Sequence, residues 1–259
     1  MMKPLEVLYA TCCLLSCVAC SVKEDRGVCP CRLMLDFSEN DTVSVRSAEL
    51  LLSASGGFSV ADTLQCAEFA EEYQVLVPGG NVNILAWYGG EGCKVGENGL
   101  RIPYGEDCPE VYMCFFDVQV HGEVFRKSVR MKKNHCRATL YVQSEEGFPY
   151  RLVVRGDVGG YGPDGAPSEG EFMCELELCD DMVGWVNLPR QRNDSLCLEV
   201  WEGGEVLKIF TLGRYISAVG YDWSAEDLED ITLSLDYAHN IIGISIGEWD
   251  EEHHFNVSI

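Results

Sequence analysis

The chain has 259 residues and a formal net charge of −23 at pH 7, from 42 acidic and 19 basic side chains. A surface of this sign repels nucleic acid and anionic lipid headgroups and says little about any specific partner. Once a leader of about 20 residues is set aside, roughly 240 remain, enough for two medium domains or one large one.

The leader comes first. Lys3 precedes an uncharged apolar stretch from Leu8 to Ala19, and Lys23, Glu24 and Asp25 follow soon after. This is too short for a membrane span of roughly 20 apolar residues, and it reads as a signal peptide. A lipoprotein signal needs a small residue before the cleaved bond and a cysteine after it. Cys17-Val18-Ala19-Cys20 supplies both, so Cys20 is the expected lipidated residue; Leu14-Leu15-Ser16-Cys17 makes Cys17 the runner-up. Each buried methylene of an acyl chain contributes about 0.8 kcal/mol, so two or three chains hold a protein on a membrane without a spanning helix.

Of the 14 cysteines, Cys12, Cys13, Cys17 and Cys20 belong to the leader and its end, which leaves ten. An exported chain can oxidise these, but the spacings do not fix a pairing. Neither Cys29-Pro30-Cys31 nor Cys174 with Cys179 repeats as zinc-ligand spacing does. No metal and no cofactor is expected. Cys114, Cys174 and Cys197 fall in strand-like runs, where cysteine acts as a small apolar residue.

From Arg32 onward, apolar and polar residues alternate with the period of a half-buried strand. Leu33, Leu35 and Phe37 open the series. Further alternations cover Tyr73 to Val77, Val82 to Trp87, Phe116 to Val120, Ala138 to Val142, Leu152 to Val154 and Phe172 to Leu178. The rest are Leu196 to Trp201, Val206 to Phe210, Ile231 to Tyr237, Ile242 to Ile246 and Phe255 to Ile259. Turns such as Pro78-Gly79-Gly80-Asn81 and Gly89-Gly90-Glu91-Gly92 separate them. Short helices are expected at Ser47 to Ser53, Asp62 to Glu72 and Ser224 to Leu228.

Many short antiparallel strands with glycine-rich turns predict an all-β chain of two β-sandwich domains in tandem. Ser144-Glu145-Glu146-Gly147 breaks the pattern. The expected organisation is a signal peptide at 1–19, a lipidated linker at 20–31, and sandwiches at 32–147 and 148–259. The loop from Gly156 to Gly170 reads as a long hairpin connection in preference to a calcium loop.

Little here points to catalysis. Gly243-Ile244-Ser245-Ile246-Gly247 matches the nucleophile-elbow pattern, but only 14 residues follow Ser245, too few for the acid and histidine a triad needs. The alternation of isoleucines with Gly243, Ser245 and Gly247 is that of a packed strand. His253 and His254, beside Asp250, Glu251 and Glu252, read as a solvated acidic loop in preference to a metal site. The chain is not expected to be an enzyme.

Several motifs occur in an order that resembles the lipoprotein anchor subunits of Bacteroidetes fimbriae. Cys20 precedes Glu24-Asp25 and Cys29-Pro30. Val75-Leu76-Val77-Pro78-Gly79-Gly80 leads into Ile84-Leu85-Ala86-Trp87-Tyr88-Gly89. Trp185-Val186-Asn187-Leu188-Pro189-Arg190 follows, then Ile244 and Ile246-Gly247 before Trp249. Arg26 stands where that family usually has a leucine, and Cys31 is an addition.

The resemblance implies two transthyretin-like sandwiches, lipid-anchored on the outer face of the outer membrane at the base of a fimbrium. It implies fimbrillin subunits, major or accessory, as partners, and a role in holding the fimbrium and limiting its length. Subunits of this kind join by adding a strand of one protein to a sheet of another, and Phe255, Val257 and Ile259 are the candidate exchange segment.

Two alternatives stay open: a surface lipoprotein that binds glycans for uptake, and a shaft or tip fimbrillin cleaved after an arginine such as Arg32 or Arg46. Exposed aromatic platforms would mark the glycan reading. The five tryptophans are spread through strand-like segments and are expected in the core.

Overall fold

The computed structural model describes residues 29–40, 47–65, 72–96, 99–144, 147–247 and 253–256. The leader with Cys17 and Cys20, Arg46, Glu145 and Glu146, Trp249, Asp250 to Glu252, and Val257 and Ile259 lie outside the described residues.

The chain is nearly all strand. In order these are β1 (Cys31–Asp36), β2 (Ser47–Ala54), β3 (Phe58–Gln65), β4 (Tyr73–Val77), β5 (Gly80–Gly89), β6 (Lys94–Gly96), β7 (Gly99–Arg101), β8 (Val111–Val120), β9 (Val124–Ser128) and β10 (Lys132–Lys133). The second half contributes β11 (His135–Gln143), β12 (Arg151–Tyr161), β13 (Pro167–Leu176), β14 (Val183–Pro189), β15 (Cys197–Glu202), β16 (Glu205–Phe210), the helix α1 (Leu212–Ala218), β17 (Ile231–Asp236), β18 (Ile241–Ile246) and β19 (His253–Asn256).

Two sandwiches result. In the first, the sheet β4-β1-β9 packs on β10-β8-β5-β2-β3. Its core gathers Leu33, Leu35, Leu50, Leu52, Ile84 and Ala86 from both sheets. In the second, β14-β11-β17-β18-β19 packs on a sheet in which β15 and β13 flank β12 and β16 lies outside β15. Leu140, Leu188, Leu233 and Ile244 meet Leu152, Phe172, Leu198 and Phe210 there.

The two halves repeat one topology. β1, β2, β3, β4, β5, β8 and β9 pair with one another as β11, β12, β13, β14, β15, β16 and β17 do. Even the one parallel contact recurs, β1 with β9 and β11 with β17, so the sheets are mixed where purely antiparallel ones were expected.

The sheets divide the chain at Asn134 and not at 147. β11 pairs with β14 and β17, which makes it the first strand of the second sandwich. The polar break at Ser144 to Gly147 is only the connection from β11 to β12.

Helices also fall elsewhere than expected. Ser47 to Ser53 is the strand β2, buried at Ala48, Leu50 and Leu52 and partly covered at Leu51 on its other face. The helix propensity of its Ala, Glu and Leu is overridden by a site between two apolar layers. Asp62 to Gln65 continues β3, and 66–71 lie outside the described residues. Ser224 to Leu228 is a turn.

The helix that does form, α1, buries Leu212, Gly213 and Ile216 and has no side-chain cap at Thr211. Gly213 lets it approach closely: a Cβ there would lie 2.5 Å from the Asp194 backbone. Thr211 is a capping residue type whose side chain makes no cap, and no acid stands in the first turn, so packing is what places this short helix. Among the described residues no helix is long and apolar enough to cross a membrane.

Candidate functional site

The sandwiches are joined by more than a linker. After β5 the chain leaves the first sandwich and forms the hairpin β6–β7, which pairs with β12 of the second. It then runs as a strap along β13 and β14: Gly105 N–H donates to the Met173 carbonyl (3.0 Å) and Cys108 N–H to the Asn187 carbonyl (3.3 Å). Only then does it return as β8. A small core of Leu85, Trp87, Val111 and Met113 from the first sandwich, Leu100 from the hairpin and Tyr161 from β12 seals the junction.

This explains why Ile84 to Trp87 is buried at four successive positions. One face of β5 lines its own sandwich and the other lies under the hairpin, as in strands covered on both sides.

Polar groups at the joint are organised around Asn134 and Arg190. The buried Asn134 accepts from Arg190 Nε at Oδ1 (2.9 Å) and donates Nδ2 to the Lys132 carbonyl (2.9 Å). The Tyr161 hydroxyl donates to the Asn134 carbonyl and accepts the Arg190 N–H at 3.1 Å. The Arg190 guanidinium also donates to the carbonyls of Trp223 (2.5 Å), Ala225 (2.7 Å) and Glu226 (3.2 Å). A planar fork of five donors suits such a cluster of carbonyls; a lysine does not.

Asp107 in the strap is a titratable part of the joint. Its Oδ1 accepts the Asn187 N–H at 2.7 Å. Burial pushes its carboxyl up to about 6, against the pull of the Asn187 and Cys108 N–H groups and the Arg137 charge.

The sign follows from linkage. A folded pKa above the unfolded value gives stability that is complete below about 4 and is lost as pH rises through 6. Asp107→Asn keeps an acceptor oxygen and removes the charge. It is expected to raise stability by about 1 kcal/mol at pH 7.5, after allowance for partial exposure, and by little at pH 4. Urea unfolding of both proteins at the two pH values checks this; equal differences at both would refute it.

The tryptophans do not share one environment. Trp87 is buried, Trp201 and Trp223 are half-buried, and Trp185 is 56 % exposed. The core expectation therefore fails for Trp185. It projects from the outer face of β14 with the Arg137 guanidinium 4.6 Å from its ring, beside the exposed Tyr141 of the neighbouring β11. On the outer face of the opposite sheet, Glu199 accepts from Arg155 Nε and Trp201 Nε1, each at 2.9 Å. Arg151 lies over the Trp201 ring at 5.1 Å. A cleft of about 540 Å³ lies between β2, β5 and the hairpin, with Leu51, Leu85, Trp87 and Leu100 among its walls.

The residues singled out in the sequence are scattered. Gly243 and Ser245 lie inside β18, Gly243 between Ser234 of β17 and His254 of β19 and Ser245 opposite Thr232 of β17, so the glycine-serine pattern is regular strand without the turn and helix of an elbow. His253 and His254 belong to β19, opposite Ile244 and Gly243. Phe255 stacks on Tyr215 of α1 at 4.8 Å and pairs with Ile242, so this part of the candidate exchange segment is an added edge strand. Among the described residues no three His, Cys, Asp or Glu side chains gather as a metal site would need. Gly156 to Gly170 forms the β12–β13 hairpin, closed by Gly162 N–H to the Ala166 carbonyl at 2.7 Å.

No family model and no curated protein matches the chain. Solved structures do. A Bacteroides thetaiotaomicron protein described as polysaccharide-binding gives a TM-score of 0.63 at 15 % identity, over 87 % of this chain and 98 % of that one. The fimbrial anchor protein Mfa2 of Porphyromonas gingivalis gives 0.58 at 14 %, over 85 % and 98 %. A Bacteroides ovatus protein described as an adhesin gives 0.56 at 13 %, over 91 % and 98 %. At these identities the likeness is one of fold, and it spans both sandwiches.

Proposed function

We propose that this chain is a non-enzymatic surface lipoprotein that anchors a fimbrium to the outer membrane, limits its length and joins fimbrillin subunits by strand addition. The observation that carries the reading is the tandem-sandwich fold shared with a fimbrial anchor over nearly the whole of that protein. The cysteine-ended leader supplies the membrane attachment, through acyl chains on Cys20 or, failing that, Cys17. Phe255 of β19, with Val257 and Ile259 beyond the described residues, is the proposed exchange segment.

A second reading is favoured by one observation. Trp185, Tyr141 and Arg137 form an exposed aromatic and cationic surface of the kind that stacks on sugar rings, and one structure of the same fold is described as polysaccharide-binding. In that reading the protein is a glycan-binding lipoprotein of an uptake system. A shaft or tip fimbrillin has no comparable observation behind it.

Cys20→Ala is expected to move at least nine-tenths of the protein from the membrane to the soluble fraction and to abolish labelling by palmitate, as measured by fractionation and intact mass. A Cys17→Ala, Cys20→Ala double variant that stays acylated would sink the lipoprotein reading. Pull-down of the acylated protein from detergent-solubilised outer membranes separates the other two. Recovery of a heat-stable, β-rich subunit supports the anchor, and recovery of a glycan or a transporter alone supports uptake.

A further inference from the structure

The repeated topology exposes a difference at one edge. β8 in the first sandwich and β16 in the second hold the same place, outermost beside β5 and β15. In the first sandwich the chain covers that edge itself: β10 adds antiparallel to β8, Lys132 opposite Met113 and Lys133 opposite Tyr112. No described strand adds to β16. The far edge of the same sheet, β13, has the strap along it, with Gly105 bridged to Cys174.

The uncovered strand is apolar. Val206, Leu207 and Ile209 are 40 %, 44 % and 50 % exposed within four residues. An open edge is ordinarily guarded by lysine, proline or a bulge, because its unpaired N–H and C=O groups invite another strand. Lys208 is the cation of β16, yet it is held away from the edge. Its Nζ donates to Asn240 Oδ1 in the β17–β18 turn and lies 5.0 Å over the Phe210 ring. The irregular register between Val200 and Trp201 leaves Leu207 without a cross-strand partner, so any guard of the bulge kind is confined to the tip of the hairpin. From Lys208 to Phe210 the strand is regular, longer than the two residues over which β10 pairs.

We propose that the edge of β16 receives a short antiparallel strand from a partner polypeptide, with lysine or arginine beside its apolar residues. Main-chain hydrogen bonds supply the affinity and Leu207 and Ile209 the apolar contact. Charge selects the partner. Glu202 and Glu205 stand opposite each other at the start of the hairpin, a second copy would bring a further net charge of −23, and the strand that fills the equivalent place in the first sandwich is Lys132-Lys133.

β9 is also an outer strand, with Val124 48 % exposed. It carries two cations of its own, Arg126 paired with Glu72 and Lys127 over the Phe116 ring, where β16 has one that is turned away. The inference rests on the fimbrial reading only for the identity of the partner.

The test is site-directed photo-cross-linking in the full lipidated chain on cells that assemble fimbriae. The reactive residue is placed in turn at Leu207 (β16), Val124 (β9) and His254 (β19). A fimbrial-subunit adduct from position 207, reduced at least tenfold by Ile209→Lys with an unchanged melting temperature, is the expected result. Adducts from 124 or 254 alone would overturn the β16 assignment and leave the fimbrial reading standing. A homodimer adduct from 207 would overturn it in favour of self-association. A subunit adduct from none of the three positions would overturn the assignment and the fimbrial reading together.

Discussion

Gly160→Ala is expected to cost about 3 kcal/mol or more of folding stability and to free the β6–β7 hairpin from the second sandwich. A Cβ at Gly160 would lie 2.0 Å from the Leu100 carbonyl oxygen, and one at Gly99, on the facing strand, 2.0 Å from that of Tyr161. Each glycine also has a positive φ, +150° and +94°. The obstacle in both cases is backbone, which cannot turn aside as a side chain can, so the strands must part by more than an ångström. Lost pairing of Gly160 with Arg101 and Tyr161 with Leu100 would add to the strain, and together these reach the upper range of single-site effects.

Gly204→Ala is the control. Its φ is +94°, as at Gly99, but nothing lies within 4 Å of an added Cβ, so only the conformational cost of about 1 kcal/mol is expected. Thermal unfolding gives the two costs. Trypsin cleavage at Lys94 and Arg101, faster only in the Gly160 variant, reports release of the hairpin. Equal costs at the two positions would show that the close approach carries no weight.

Arg190→Met is expected to cost about 3 to 4 kcal/mol. Methionine keeps most of the apolar stem and removes every guanidinium donor. The carbonyls of Trp223, Ala225 and Glu226 and the Asn134 amide oxygen then lose a charged partner in a half-buried site, at roughly 1.5 to 3 kcal/mol for each charged hydrogen bond before relaxation. Water entering the exposed side, near Glu226, recovers part of this.

Arg190→Lys should cost about 2 kcal/mol, since the charge stays but cannot reach carbonyls on separate turns of the loop. Urea unfolding measures both. A change in Trp223 emission under native conditions would localise the effect to the 222–227 loop. A loss below about 1 kcal/mol for Arg190→Met would mean that packing, not this network, holds the joint.

The sequence told most of the fold and little of the joint. Strands with one wet face carry period-two alternation, and Tyr73 to Val77 and Ile231 to Tyr237 are strands within a residue of their expected bounds. The failures sit where both faces are covered. Leu50-Leu51-Leu52 looked helical because three successive leucines hide alternation, and the layer that covers Leu51 comes from a distant part of the chain. Ile84 to Trp87 held the same information in plainer form: four apolar residues in a row mean two dry faces, and so a second layer over the first sandwich.

Trp185 and Arg190 stood in one short motif with nothing to separate their environments. β14 sends Trp185 to the outer face, and the chain beyond the strand's end brings Arg190 against Asn134. The seven-strand repeat was not legible, since strand pairing conserves geometry and leaves no sequence period to find. The open edge at β16 needs that repeat to be noticed, because Val206 to Phe210 reads as an ordinary half-buried strand.

The chain crosses between the sandwiches three times: out along Gly89 to Cys93, back through the strap into β8, and out again at Asn134. In the proposed anchor, tension between the acylated N-terminus and a partner seated on the second sandwich would be divided among three parallel connections. A single linker would straighten under low force and let the halves rotate; three, spaced around the Leu85, Trp87 and Tyr161 core, resist bending as well as stretching. Before the halves can separate, the hairpin must peel from β12 and the strap must slide from Asn187. In an optical trap, the expected force–extension curve rises stiffly to one rupture.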